Sequence, residues 1–459
     1  MDSAALADMI DAISQSGNDV NSVTIIRNGY LISEAYFYPY QKGIPHAINS
    51  CTKGFVSALA GIAVSDGSIH SADDSVLDYF TGIDNVDERK KALKISNLMN
   101  MTTGLDWQFD GNVSTNEMLQ SEDWTKFTLD LPMREEPGGS FNYCNGAAQV
   151  MSAVIQRAEG KSAAELFADK MKALGIKDMV WNSSPDGVSI GYSGIFMHPD
   201  DAAKFGYLYL NKGNWNGEQL IPEKWVEAST KQQVTAGWNP IFPGYGSMWW
   251  TTRFGGYAAL GFGGNYIFVV PEKNLVVVFT GGIFDNSKLF YPGELMEEYV
   301  IPSIKSDTPL QSNEAAASEL KNAVDAVQNA PAPAAVTLPE IALSISGKTY
   351  GLDNGGTVIF QFEEGSDEFT MSLADQLYTV SMGGVFNIMD VGSNGSLPDH
   401  NHLALTGGWF DEDTLDIEVW SLEDGYVKTY TANFHDDSID IHTTANIGMD
   451  ESYSGTLQP

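Results

Sequence analysis

The feature that most constrains this chain is a change of pattern at Ala330-Pro-Ala-Pro-Ala-Ala335. Before it, apolar residues recur at both helical and strand spacing; after it, they fall into short alternating runs with no helical stretch. A helical period and a strand period do not substitute for one another. The chain therefore divides into a mixed α/β part and an all-β part. The prolines make the segment between them a semi-rigid spacer. At 459 residues the chain also exceeds what a single ordinary core supports. The expected organisation is a first domain over 1–305, a helical and Ala/Pro linker over 306–338, and a strand-built domain over 339–459.

Within the first part, a helix is expected near Ser3–Ser14, then two strands around Asn28-Gly29, a strong hairpin turn signal. Helical periodicity dominates from about 65 to 230, as at Ala147–Ala158, Ala163–Leu174 and Pro199–Leu210. Strands return at Gly244–Thr252, Asn265–Val270 and Leu275–Gly281, and a helix over Tyr291–Ile304 closes the unit. Strands at both sequence ends around a helical middle imply one shared sheet. A polar, alanine-rich helix over Ser312–Gln328 leads into the linker. Beyond Pro339, strands are expected at Thr357–Phe362, Phe369–Leu373, Leu377–Ser381, Leu403–Leu405, Leu415–Trp420, Tyr426–Ala432 and Ser438–Thr443. So many short strands without a helix imply a closed antiparallel barrel or a sandwich.

Twenty-five Lys and Arg against 60 Asp and Glu give a net charge of -35. Such a surface repels phosphate backbones and anionic lipid, which disfavours nucleic-acid and membrane-surface binding as functions. Only Lys348 and Lys428 are basic after the linker, so the acidity is concentrated there. No apolar run reaches the length of a membrane span. The first ten residues lack the basic and apolar regions of a secretory leader, so a cytoplasmic location is expected unless such a leader has been removed, in which case a periplasmic or secreted one is.

The chemistry concentrates in three places. Ser50 and Lys53 stand three apart at the start of an apolar-periodic segment, so they share one helical face one turn apart. The amine can then take the hydroxyl proton, while helix N-terminal N–H groups favour a developing anion. Phe141-Asn142-Tyr143-Cys144-Asn145-Gly146 precedes a second helix. A tyrosine near an ammonium can shift toward phenolate, and an asparagine can hold the lysine and a substrate amide. Leu260-Gly261-Phe262-Gly263-Gly264-Asn265 opens a strand, where residues without side chains let a substrate approach and expose N–H groups.

In this order the three segments resemble the serine β-lactamase and penicillin-binding-protein superfamily, class C-like branch, with its family VIII esterases, D-amino-acid amidases and 6-aminohexanoate-oligomer hydrolases. The likeness covers roughly residues 1–305 and includes Asn100–Trp107, Phe205–Gly213 and Asn265–Pro271. It implies a transpeptidase-like α/β fold: an antiparallel sheet flanked by helices, with an all-helical subdomain. The all-β antiparallel barrel after it resembles lipocalin-like domains fused to some of these hydrolases. The superfamily's S-x-x-K falls on Ser50 and Lys53, and its Y-x-N on Tyr143 and Asn145. The resemblance implies Ser50 as nucleophile, Lys53 and Tyr143 as bases, and an oxyanion site from the Ser50 N–H and the strand near Gly264. Substrate contacts would come from Asn145, Gly261, Phe262, Gly263, Gly264 and Trp107, with no cofactor. The third motif departs: where the family has K-T-G, this chain has Gly261-Phe262-Gly263. Without a carboxylate-reading lysine, uncharged small esters or amides, or peptide-like ones, are expected ahead of anionic β-lactams. An acylating sensor without turnover, a true β-lactamase, or a barrel that binds an apolar ligand are the alternatives, and homo-oligomerisation is left open.

Other candidates are weaker. His46, His70 and His198 read as loop or cap residues, although His46 could border the site. Gly191-Tyr-Ser-Gly-Ile195 misses the G-x-S-x-G elbow by one position. Asp399-His-Asn-His402 and Asp411–Asp416 read as solvated turns, so no metal is expected. Cys51 and Cys144 each neighbour a site residue and could pair under oxidising conditions. Trp107, Trp249 and Trp250 are candidates to line an acyl pocket.

Overall fold

The computed structural model describes residues 1–83, 87–373, 376–393 and 401–458. Two hydrophobic cores organise them, one built from residues between Leu6 and Ala323 and one from residues between Ala342 and Ile441.

The first core surrounds an eight-stranded antiparallel sheet. Helix α1 (Ser3–Gln15) leads into β1 (Val20–Arg27) and β2 (Tyr30–Tyr36), joined at Asn28-Gly29. Asn28 and Gly29 both have positive φ (52° and 79°), the turn geometry that matches strand twist. Helix α2 (Thr52–Asp66) follows, then α3 (Asn145–Glu159) and α4 (Pro199–Leu210). The sheet is completed by β3 (Val234–Asn239), β4 (Phe242–Tyr245), β5 (Trp250–Thr251), β6 (Tyr257–Gly261), β7 (Asn265–Val270) and β8 (Leu275–Gly281). Its order is β2-β1-β8-β7-β6-β5-β4-β3, so the terminal elements share one sheet. Strands β7 and β8 are buried on both faces, which explains their unbroken apolar runs. Helix α4 covers one face, and Gly206 lets it approach so closely that a Cβ there would meet Val276 at 2.7 Å.

Helix α2 is the pivot of this unit. Its first twelve residues, Thr52 to Ala63, are all buried, the signature of a helix running through a core. Phe55 stacks on Phe205 at 3.8 Å between centroids, and Gly54 leaves room for Trp249, which would contact a Cβ at 3.1 Å. The helix is thereby fixed in rotation, and with it the direction of Lys53.

Helix α5 (Glu314–Gln328) packs on α1 and β2 before the chain enters the barrel. The barrel strands are β9 (Thr349–Leu352), β10 (Thr357–Gln361), β11 (Glu368–Leu373), β12 (Gln376–Ser381), β13 (Asn387–Asp390), β14 (His402–Trp409), β15 (Thr414–Ser421), β16 (Tyr426–Phe434), β17 (Ser438–Ala445) and β18 (Asp450–Leu457). They run in the order β12-β11-β10-β9-β18-β17-β16-β15-β14-β13. A parallel pairing of Ser381 with Thr406 joins β12 to β14 and closes nine strands, leaving β13 beside the seam. Closure removes the sheet edges, so the architecture is the barrel and not the sandwich. It fits the lipocalin-like expectation.

The hairpin between β15 and β16 docks on the first unit. The Ala47 N–H donates to the Glu423 carbonyl at 2.7 Å, and Gly282 and Gly425 meet with no room for a side chain on Gly282. Tyr40, Ile44, Ala404 and Leu422 form a small apolar cluster between the two units. The barrel is thus anchored three residues before Ser50.

Some sequence expectations are corrected in detail. Gly244–Thr252 is two strands, β4 and β5, because the chain turns at Met248 with φ 65°. Helix Ala163–Leu174 ends at Lys170 and continues as a short 3-10 turn, and Tyr291–Ile304 is α-helical only to Leu295 before a π turn. Cys51 and Cys144 are free and buried: the Cys51 Sγ points to the Asn265 carbonyl at 3.4 Å, while the Cys144 Sγ accepts the Ala147 N–H. Each thiol is occupied by a separate partner, and no disulfide joins them. No helix among the described residues is long and apolar enough to cross a membrane.

Candidate active site

Ser50 lies in the 3-10 turn Asn49–Cys51 that opens α2, and it is partly exposed, as is Asn49, while Cys51 is buried. Asn49 adopts φ 46°, an uncommon conformation for a residue with a side chain. Its Nδ2 donates to the Phe262 carbonyl at 2.7 Å, which holds the strained corner in place.

Lys53 is 1% exposed and its Nζ has three neighbours: Ser50 Oγ at 2.9 Å, Asn145 Oδ1 at 2.9 Å and the Tyr192 carbonyl at 3.2 Å. No carboxylate is among them. Burial therefore dominates and lowers its pKa to about 7. A neutral amine has two hydrogens and one lone pair. Asn145 Oδ1 and the Tyr192 carbonyl can only accept, so they take the two hydrogens. The lone pair is left to Ser50, the one neighbour with a proton to give. Asn145 is locked in this orientation because its Nδ2 donates to Thr115 Oγ1 at 3.1 Å.

Tyr143 is 7% exposed, and its ring centroid is 4.6 Å from Lys53 Nζ. Burial pushes its phenol well above the ordinary range, and a hydrogen bond with Ser50 offsets only part of this. Burial therefore disfavours the phenolate expected from a nearby ammonium. Tyr143 and Asn145 flank Cys144, the N-cap of α3, so one helix start delivers both side chains.

The third motif separates into parts. Gly261 ends β6 against the Ser50 backbone: a Cβ there would meet the Ile48 carbonyl at 2.3 Å and the Ser50 nitrogen at 3.2 Å. Phe262, 42% exposed, forms a rim with Phe284, their centroids 5.3 Å apart. Gly263 and Gly264, with φ 86° and 80°, make the tight turn into β7. That turn faces Gly281 and Ile283. The N–H groups of Ser50 and Phe262 donate to no group among the described residues.

Trp107 lines a cleft of about 370 Å³ beside Tyr143. Trp250 packs behind Tyr143 at 5.7 Å, and Trp249 is core, packed on Tyr209 at 4.4 Å. Two contributors were not expected. Tyr192 belongs to the segment that misses the G-x-S-x-G elbow; it lies against α3, where a Cβ on Gly191 would meet the Ala148 carbonyl at 2.0 Å. Trp238, 41% exposed on edge strand β3, stacks on Trp250 at 5.2 Å and lines the same cleft.

The remaining candidates stand apart. His46 is buried and neutral, its pKa lowered to about 4, with Asn21 on one ring nitrogen and the Ala47 carbonyl on the other. His198 is the N-cap residue of α4. Asp411 accepts the N–H groups of Asp413 and Thr414 in a self-capped turn. Asp399 and His400 lie outside the described residues, and His402 bonds Glu423 at 2.6 Å. Among the described residues, no group of three or more His, Cys, Asp or Glu side chains is arranged to hold a metal ion.

An eight-stranded antiparallel sheet with helices, a buried lysine one turn after a serine, and an appended barrel define the class of β-lactamase- and penicillin-binding-protein-like folds. The chain belongs to the Beta-lactamase family, whose model matches residues 9–283, and it is a hydrolase of that family. It is 21% identical over 281 residues to the 6-aminohexanoate-dimer hydrolase of Paenarthrobacter ureafaciens, covering 55% of this chain and 70% of that protein. The D-amino acid amidase of Ochrobactrum anthropi superposes with a TM-score of 0.52 at 17% identity, over 66% of this chain and 97% of that one. An octameric penicillin-binding protein homologue from Pyrococcus abyssi matches 99% of this chain and 100% of its own, with a TM-score of 0.50 and 15% identity.

Proposed function

We propose that the protein is a serine hydrolase that cleaves small esters or amides through an acyl-enzyme. The observation that carries this reading is the environment of Lys53: two acceptor-only neighbours and a lowered pKa leave a neutral amine whose lone pair faces the Ser50 hydroxyl. Lys53 takes the Ser50 proton as Oγ bonds to the substrate carbonyl carbon. The carbonyl electrons move onto oxygen, where the N–H groups of Ser50 and Phe262 are free to receive them. The oxyanion then collapses and the bond to the leaving group breaks. Tyr143 gives its proton to the departing oxygen or nitrogen and is reprotonated from Lys53. Water attacks the acyl-Ser50 by the same relay in reverse, releasing the acid and restoring the hydroxyl.

The absence of lysine and threonine at the third motif supports esters and amides over β-lactams. The test is steady-state turnover of p-nitrophenyl butyrate, D-amino-acid amides, the linear 6-aminohexanoate dimer and nitrocefin by wild type and Ser50→Ala. Turnover of an ester or amide that the variant lacks supports the reading. A burst without steady state would make the protein an acylating sensor, and nitrocefin as the best substrate would make it a β-lactamase.

A further inference from the structure

A second cavity, of about 740 Å³, lies where three parts of the chain meet. Its volume is within the range of small-molecule sites. The end of α1 and the start of β1 form one wall, and Phe37, Tyr38 and Tyr40, just beyond β2, form another. The end of α5 and Trp420 of the barrel strand β15 complete it. Ser50, Lys53 and Tyr143 do not line it.

The chemistry of this cavity is one-sided. Among the described residues that line it, none is basic. Helix α1 ends on it at Ser14 and α5 at Asp325 and Asn329, and neither helix has a basic residue in its last turn. A helix C-terminus carries partial negative charge. The carbonyls of Ser14 and Ala326 receive no hydrogen bond among the described residues, and the buried Asn18 Oδ1 has no partner. Asp325 is paired with Lys321, but the Asp19 carboxylate has no hydrogen bond or ion pair among the described residues. Partial enclosure raises its pKa, and Lys288, acting through space, offsets part of that.

The backbone fixes where this carboxylate stands. The Asp19 carbonyl accepts the Gly282 N–H at 2.7 Å, and the Asn18 N–H donates to Ser16 Oγ at 3.0 Å. The charge of Asp19 reaches the Tyr40 phenol. The Tyr40 ring is 5.9 Å from that of Trp420, whose indole N–H is held by Glu418 at 2.9 Å. Carboxylate and rings therefore stand together on one side of the cavity.

Acceptors without donors, a carboxylate without a cation and aromatic faces are matched by a ligand that brings N–H groups, positive charge and an apolar body. A metal ion is not the match, since among the described residues no three His, Cys, Asp or Glu side chains are grouped to hold one. The geometry points to a binding site for a primary alkylammonium, with its charge at Asp19 and its apolar body on Tyr40 and Trp420. The site is independent of the hydrolase reading of Ser50. Its ligand touches the first unit, the linker helix and the barrel at once.

The test is titration calorimetry on the full chain with four probes of similar size. They are 2-phenylethylammonium, 2-phenylethanol (no charge), 3-phenylpropanoate (opposite charge) and 2-phenylethyltrimethylammonium (charge without N–H). The primary ammonium binds about tenfold more tightly than the alcohol, the scale of one ion pair and one cation–π contact together. The quaternary ion binds more weakly than the primary one, and the anion does not bind. Asp19→Asn, which keeps the side-chain shape, brings the primary ammonium to the level of the alcohol. Asp110→Asn, at the separate cleft beside Tyr143, leaves its affinity unchanged. Equal binding of the ammonium and the alcohol, no binding of the ammonium, or a quaternary ion that binds at least as tightly overturns the proposal. So does an affinity that survives Asp19→Asn or is lost in Asp110→Asn.

Discussion

Lys53 Nζ and Ser50 Oγ are 2.9 Å apart across a contact that leaves the lysine 1% exposed, and the amine's other two partners can only accept hydrogen bonds. The relationship sets a pH dependence. Only the neutral amine accepts a proton, so kcat/KM rises with pH and levels off above the lysine pKa of about 7. Lys53→Arg, permanently charged, loses this limb and about a thousandfold of the rate. A pH–rate profile of both proteins checks it.

The same group makes a stability prediction. Unfolded, Lys53 binds its proton up to about 10.5; folded, it releases it near 7. Between those values the unfolded state holds more protons, so this residue's contribution to stability increases with pH across that window. Subtracting the unfolding free energies of Lys53→Met from those of wild type at pH 7 and pH 10 isolates the term, and the difference moves in favour of wild type at the higher pH.

Tyr143→Phe keeps the ring packed against Trp238 and Trp250 and removes the proton. The expected loss is about 10²- to 10³-fold in kcat for amides, which need a protonated leaving group, and less for p-nitrophenyl esters, which do not. The acidic limb near pH 7 persists, because it belongs to Lys53.

The site was legible where chemistry coincided with periodicity. Ser50 and Lys53 stand at helical spacing, and Tyr143 and Asn145 precede an evident helix, so one turn of geometry placed each pair. Tyr192 and Trp238 come from a loop and an edge strand with no periodic signal, and only long-range packing brings them in. Strand β6 was missed for a related reason: Tyr257-Ala-Ala-Leu-Gly261 has weak strand propensity, and its pairing with β7 decides it. Strand β18, largely polar with Gly455 its one buried residue, is held by register with β17 and not by its own pattern.

Gly261→Ala tests the third motif. Its φ is ordinary, so the cost is space alone: the new Cβ would sit 2.3 Å from the Ile48 carbonyl and 3.2 Å from the Ser50 nitrogen. Displacing Ser50 by a fraction of an ångström lowers kcat/KM by about 10- to 100-fold. Thermal denaturation, in contrast, shifts by only a few degrees.

The barrel contact has an energetic consequence. Leu422 is 1% exposed among Tyr40, Ile44 and Ala404. Leu422→Ala is expected to cost about 2–4 kcal/mol. Calorimetry measures it, with the transition of the barrel separating from that of the hydrolase unit as the contact between them weakens.

The central claim is that Ser50 is activated. The direct measurement is the intact mass of wild type and Ser50→Ala after exposure to a fluorophosphonate. A single adduct on wild type and none on the variant is the predicted result. An unmodified wild type, or equal labelling of both proteins, contradicts it.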